Sequence, residues 1–246
     1  MKISVAIITK DAAPELARCL ASVTFADEIV VVDQGSTDDT AAVCAQHGAT
    51  LHQSPWLGFG PTKQKAVLLC RNRWVLSIDS DEEVTTELQA AITALPDDPP
   101  EAAFAVNRLS RFLGKWIRHC GWHPEYVVRL FDRERAGFND KPVHEAVETE
   151  GTVGRLSGLM MHYTYETMDQ YIGKLNRYTT LAAEQLHAEG RTVSLWRALV
   201  RAKAAFLRMY FLQGGILDGW VGLVLCWSSG FSVLAKYVKL WRMGNR

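Results

Sequence analysis

Residues 28–40 read EIVVVDQGSTDDT: a β-branched run, Glu28 to Asp33, broken by Gly35 and followed by small polar and acidic residues. A run without polar alternation is what a strand buried on both faces requires. Asp33 ends it. Gly35 permits a tight turn, Ser36 and Thr37 can cap a helix, and Asp38 and Asp39 suit its positive end, so Ala41 to His47 is expected to be helical. The same unit recurs outward from this point. Ile3 to Thr9 is an earlier apolar strand, with a helix over Pro14 to Val23 carrying Leu16, Leu20 and Val23 at helical spacing. Ala49 to Gln53 is a third strand. A Gly- and Pro-rich loop, Trp56 to Pro61, leads into a helix through Lys63, Ala66 and Leu69. Trp74 to Asp79 is a fourth strand, and Thr86 to Leu95 a further helix. Strands alternating with helices predict an α/β fold with a mostly parallel, doubly wound sheet. Asp33 and Asp79 then fall on the carboxyl edge, where such sheets bind ligands.

Beyond Pro96 to Pro100, expected to be a linker, the periodicity weakens. Ala102 to Arg108, Tyr126 to Asp132 and Arg155 to Tyr163 read as strands, and Met168 to Glu189 as a helix. From Leu195 an apolar stripe through Leu199, Ala202, Phe206 and Met209 continues in amphipathic helices. The expected organisation is a main domain over 1–190, with a half that carries this carboxyl edge (1–98) and a second half (99–190), and a helical segment over 191–246.

The formal net charge of the 246 residues is zero, but it is unevenly spread. Residues 191–246 hold nine Lys or Arg and one acid, Asp218, for a local +8, which leaves 18 basic and 26 acidic groups elsewhere. Ile216 to Ala235 is long enough to span a bilayer. Its Gly and Ser interruptions, its tryptophans and the following Lys236, Lys239 and Arg242 fit a helix pair lying in the interface better. Packing on the main domain or dimerisation is the structural alternative. The five scattered cysteines form no CxxC pair, which fits a reducing compartment and neither a zinc site nor a disulfide framework. The N-terminal apolar run is too short for a secretory signal.

Three motifs carry chemistry. Asp33, at a strand end, can accept a hydrogen bond from a uracil base, or can simply belong to a well-capped strand–turn–helix junction. Asp79-Ser80-Asp81-Glu82 places two carboxylates one residue apart, able to share a divalent cation such as Mg2+ with a diphosphate; the bland reading is a charged loop. His144-Glu145, in Lys141-Pro142-Val143-His144-Glu145, offers a base beside an imidazole.

With these residues on view, the chain resembles glycosyltransferase family 2, of the GT-A fold, in ISVAIITKD, EIVVVDQGSTDDT, GFGPTKQKA and WVLSIDSDE. It is similar more narrowly to bacterial glucosyltransferases of lipopolysaccharide core biosynthesis in KPVHEAV, MMHYTYETMDQYIGKLNRYTTLAAE and GGILDGWVGLVL. Those relatives usually read D-S-x-S-T-D at residues 33–38 and often D-A-D-E at 79–82; neither departure removes a carboxylate. The resemblance implies that Thr9, Asp11, Asp33, Lys63 and Asp79 meet the nucleotide, that Asp81 and His162 hold Mg2+ or Mn2+, and that Glu145 is the base with His144 beside it. Lys63 as an exposed helix lysine and His162 as a core histidine are the competing readings. Arg129, Trp122 and His123 are candidates for an acceptor cleft. The implied activity is inverting transfer of a sugar, glucose from UDP-glucose foremost, to a lipid-linked saccharide such as an inner-core heptose. The expected location is cytoplasmic, on the anionic inner face of the cytoplasmic membrane, with no nucleic-acid partner. A sugar nucleotidyltransferase fits less well, because Ile8-Thr9-Lys10-Asp11-Ala12-Ala13 lacks the glycines of its loop. A dinucleotide-dependent oxidoreductase fails on the missing GxGxxG.

Overall fold

The computed structural model describes residues 1–139 and 145–245. The chain forms two compact units, residues 1–108 with 125–162, and residues 109–124 with 163–246. This grouping differs from the boundaries expected at 98/99 and 190/191, because strands β6 (Ala103–Phe112) and β11 (Val153–Tyr165) each run from the first unit into the second.

The first unit begins with β1 (Ile3–Thr9), α1 (Ala13–Ala21), β2 (Glu28–Asp33), α2 (Thr40–Gln46), β3 (Thr50–Gln53), α3 (Phe59–Leu69) and β4 (Trp74–Asp79). Strands β3, β2, β1 and β4 are neighbours in that order, and all three pairings are parallel. All of β1 and most of β2 and β4 are buried, as their continuous apolar runs demand. Helix α1 starts with Pro14 in its first turn and buries Leu16, Cys19 and Leu20. The sheet then changes character. After β5 (Glu82–Val84) and α4 (Thr86–Thr93) come β6, β7 (Lys115–Trp116), β8 (Glu125–Asp132), β9 (Ala136–Phe138), β10 (Val147–Thr149) and β11. The sheet continues past β4 in the order β8-β6-β11-β5, with β8 antiparallel to both β4 and β6. The doubly wound expectation therefore describes its first half. Strands β9 and β10 form a separate antiparallel pair.

The register fixes which strand ends lie together. Leu76 faces Leu130 across the antiparallel β4–β8 pair, so the start of β8 lies at the level where β4 ends. The carboxyl edge of β1, β2 and β4 and the amino end of β8 thus share one rim.

In the second unit, α5 (Met168–Ala188) opens on a capping box between Thr167 and Gln170. Helix α6 (Leu195–Leu207) passes through a π turn, Arg208–Leu212, and a 3-10 turn, Gly215–Asp218, into α7 (Gly219–Gly244). Its core gathers Phe112, Ile117, Tyr171, Met209, Val221 and Leu225. Trp122 packs edge-on against Phe112 here and near Tyr165. Asp218 is buried and accepts from the backbone of His119 at 2.9 Å, with one ring nitrogen of His119 3.0 Å away. A side chain at Gly222 would strike the Gly215 carbonyl, so this corner needs its glycine.

Candidate active site

At the end of β2, Asp33 is buried and both its oxygens are engaged. It accepts from the Ser36 N–H, from the Ser36 hydroxyl at 2.6 Å and from the Gln53 side chain at 2.8 Å. A uracil N–H would have to replace one of these donors. Ser36 and Thr37 do not cap α2, contrary to expectation. Ser36 accepts from the Asp11 N–H, while the Thr37 N–H donates to the Asp11 carboxylate at 2.7 Å, so both residues tie the loops after β1 and β2 together. The helix begins later, at Thr40, whose N–H and hydroxyl both donate to Asp38. Asp11 adopts a positive φ of 46°, which Asp tolerates better than most residues. Thr9 stands beside Asp33 in the β1–β2 register, and its hydroxyl is buried with no partner among the described residues.

Asp79 closes β4 at the centre of a charged network. Lys63 Nζ, on α3, lies 2.7 Å from one carboxylate oxygen and 3.3 Å from Glu145. Its side chain is 5 % exposed, so the exposed-lysine reading is wrong: Lys63 is buried between two acids. Arg129, on β8, donates to the other Asp79 oxygen at 2.9 Å and to Glu82 at 2.5 Å. Glu82 is fully buried, also accepts from Arg108 at 3.2 Å, and receives the Asp79 N–H at 3.0 Å. Arg108 in turn grips Glu125 through two bonds of 2.9 Å. Burial pushes the Asp79 carboxyl up, but Lys63 and Arg129 outweigh it and hold the group well below the usual carboxylate range. For Arg129, burial disfavours the charge, and Glu82 and Asp79 more than restore it.

Lys63, Asp79, Arg108, Tyr126, Arg129, Phe138 and Glu145 line a cleft of about 390 Å3. Glu145 is 21 % exposed and sits just before β10. Arg129, expected to line an acceptor cleft, does line this cleft, paired there with Asp79 and Glu82. Trp122 and His123 belong to the other unit, where Trp122 is packing. His144 lies outside the described residues. Sequence reasoning places Glu82 in the acidic motif without giving it a role, and misses Arg108 altogether. The signal for Arg129 is a lone cation inside the apolar run Val127-Val128-Arg129-Leu130-Phe131, a position that strands rarely give an unpaired charge.

Residues 4–155 match the sequence model of glycosyl transferase family 2. A Rickettsia felis protein described as an uncharacterized glycosyltransferase is 33 % identical over 261 residues, covering 96 % of this chain and 89 % of its own. The chain belongs to glycosyl transferase family 2. A Rhizobium meliloti lipopolysaccharide core biosynthesis glycosyltransferase, LpsC, is 28 % identical to this transferase, covering 96 % of this chain and 93 % of its own. The structure resembles a mannosyltransferase from Pyrobaculum calidifontis solved with GDP-Man and Mn2+, at a TM-score of 0.56 and 15 % identity, covering 97 % of this chain and 86 % of the other. That likeness shows the GT-A fold.

The transferase's own side chains bear on whether a cation fits. His162, on β11, brings Nε2 to 3.4 Å from the Asp81 carboxylate, joining the two residues expected to hold metal. Among the described residues no cluster of three or more His, Cys, Asp or Glu forms a ready cation cage. A site of few protein ligands suits Mg2+ or Mn2+, which keep water and substrate phosphate oxygens as their other ligands. The residues of this transferase therefore fit a divalent ion that arrives with a diphosphate.

Proposed function

We propose that this transferase inverts the anomeric centre of a UDP-sugar, UDP-glucose foremost, as it passes the sugar to a lipid-linked saccharide such as an inner-core heptose of lipopolysaccharide. One observation carries the reading. Lys63 joins Asp79, the first acid of the D-x-D motif, to Glu145, the acid of the His-Glu motif and 82 residues from Lys63 in sequence, inside one cleft. Donor-side and base-side residues are therefore close enough to act on one bond. The LpsC name supports a lipopolysaccharide core acceptor.

In this reading the acceptor hydroxyl attacks the anomeric carbon, its proton passes to Glu145, and the bond to the diphosphate oxygen breaks with UDP as leaving group. Thr9, Asp11, Asp33 and Lys63 contact the nucleotide, and Asp79 orients its ribose. Asp81 and His162 would hold Mg2+ or Mn2+, whose charge makes the diphosphate a better leaving group. Lys63 is poised to move from Glu145 toward incoming phosphate, which would free the base when the donor is bound.

The exposed side chains of the second unit support attachment to the anionic inner leaflet. Trp196 is 73 % and Leu212 84 % exposed, and Leu217, Trp220 and Trp227 also face outward. Exposed Arg197, Arg201, Lys203 and Arg208 accompany them, while the one acid of residues 191–246, Asp218, is buried. Gly215–Gly244 is long and apolar enough to cross a membrane, and 28 % of its apolar window is buried. The mixture of Trp and basic residues favours lying in the interface.

The test is a donor screen with UDP-, GDP- and ADP-sugars, a heptoside acceptor, and Mg2+ or Mn2+. Release of UDP in step with a β-linked product, lost in excess EDTA and in Asp81→Ala, is expected. Full activity in EDTA would end the metal-dependent reading, and preference for a GDP-sugar would end the uridine assignment.

A further inference from the structure

The cleft holds two aromatic rings, and their surroundings differ. Phe138 packs edge-on against Phe131 with centroids 5.9 Å apart, and Lys63 lies 5.8 Å from its centroid. Tyr126 is 43 % exposed and lines the cleft, with the Arg155 guanidinium 4.3 Å from its ring centroid. The cations differ as well. Lys63, Arg108 and Arg129 each hold at least one carboxylate within 3.3 Å. Arg155, itself exposed, has no carboxylate within salt-bridge distance among the described residues; its guanidinium meets the Tyr126 ring instead.

Strand order says which side of the cleft this pair occupies. The nucleotide-side residues Thr9, Asp33 and Asp79 end β1, β2 and β4, and β8 flanks β4 on the side away from β1 and β2. The antiparallel β4–β8 pairing, with Leu76 opposite Leu130, puts the start of β8, and Tyr126 with it, near the end of β4, one strand beyond the D-x-D turn. Tyr126 thus stands on the same rim as Asp79 and Glu145, on the side opposite Asp33.

The geometry points to an acceptor-sugar subsite built on Tyr126 and Arg155, taking a sugar ring that carries an anionic group. The inference rests on the transferase reading and names the acceptor side of the same cleft. An aromatic face carries negative potential, which attracts the polarised C–H face of a pyranose, and the phenol hydroxyl adds a polar handle at the rim. Arg155 braces the ring from one side by cation–π contact and presents its planar N–H fork to a phosphate or carboxylate on the sugar. Arg108 and Arg129 cannot serve this purpose without giving up their acids.

Ligand-observed NMR tests the subsite directly. The probes are glucose 6-phosphate, glucuronate and methyl glucoside, each added to the full chain with UDP and Mn2+ present, while UDP affinity is measured by calorimetry on the same samples. Wild type should bind both anionic sugars more tightly than the glucoside. Arg155→Gln should weaken the anionic sugars about tenfold or more and leave the glucoside unchanged. Tyr126→Ala should weaken all three, Tyr126→Phe should largely restore them, and no variant should alter UDP affinity. A preference for one anionic sugar over the other separates phosphate from carboxylate recognition. Equal binding of charged and neutral sugars, or unchanged binding in both Tyr126→Ala and Arg155→Gln, overturns the subsite. Parallel loss of UDP and sugar binding in a folded variant would overturn it too, by placing Tyr126 on the donor side. A wild-type chain that binds the sugar phosphate but not UDP would uphold the subsite and sink the uridine reading alone.

Discussion

Replacing Glu82 by Gln should destabilise the transferase more than any other single-charge change around the D-x-D turn. The carboxylate is fully buried and spends its oxygens on Arg129 at 2.5 Å, Arg108 at 3.2 Å and the Asp79 N–H at 3.0 Å. All three partners are donors. A glutamine offers one oxygen and one NH2 group, so in either orientation a donor must face a donor. Breaking a buried ion pair by removing one partner costs about 3–5 kcal/mol. Arg129 keeps Asp79 and Arg108 keeps Glu125, which places the change at the lower end, about 3 kcal/mol. For a chain of this size each kcal/mol shifts the melting temperature by roughly 2–4 °C, so a drop of about 6–12 °C is expected. Thermal melts followed by circular dichroism, with the native spectrum checked below the transition, measure it. Glu82→Asp should fall between, since it keeps the charge but shortens the reach. A Glu82→Gln melt within about 2 °C of wild type would show that Glu82 does not compensate the buried arginines, and the network account of the site would fail.

Glu145→Gln keeps shape and removes basicity, so turnover should fall about 10²–10⁴-fold with donor affinity nearly unchanged; a loss below tenfold in steady-state kinetics points to another base, Asp140 first. Asp79 has its folded pKa depressed, so its contribution to stability is present above the ordinary carboxylate pKa and is lost as pH falls through and below that value; urea unfolding from about pH 6 down to about pH 3 should show a steep loss that Asp79→Asn partly flattens. The full chain should co-sediment with anionic vesicles more than with neutral ones and release as salt rises, each basic side chain of residues 191–246 near the surface contributing about 1 kcal/mol; equal binding to both would leave hydrophobic insertion alone.

Legibility in the sequence follows the range of the forces involved. Strands β1, β2 and β4 are expected within their observed bounds because each is a continuous apolar run, and burial on both faces leaves that signature in consecutive residues. Met168 and Leu195 are legible as helix starts because helical periodicity begins there, and in the structure Thr167 and Ser194 cap those starts. The short strands β5, β7, β9 and β10 are not, having two or three residues each and no period to read. The expected cap at Ser36 and Thr37 fails for an instructive reason. Their hydroxyls have a better use in tying two loops across 25 and 26 residues of sequence.

The candidate site shows the same division more sharply. The acids at residues 33, 79, 81 and 145 are visible because each ends a strand or sits in a motif, and motif and strand end are both local. What makes them a site is not local. Lys63 reads as an ordinary helical lysine until Asp79 and Glu145 close on it from 16 and 82 residues away. Glu82 reads as one more acid in a charged turn until Arg129 and Arg108 arrive from β8 and β6. Yet local charge counting holds one usable clue. A buried strand tolerates an arginine only if acids meet it, because an unpaired buried charge costs several kcal/mol. Arg129 in an apolar run therefore demands carboxylate partners; β4, the strand beside β8, ends on Asp79, and the short turn after it leads to Glu82 at the start of β5. A cation stranded in an apolar strand pattern is thus a pointer, within the sequence itself, to the acids of a site. In this chain it points to Asp79 and Glu82, the pair it holds.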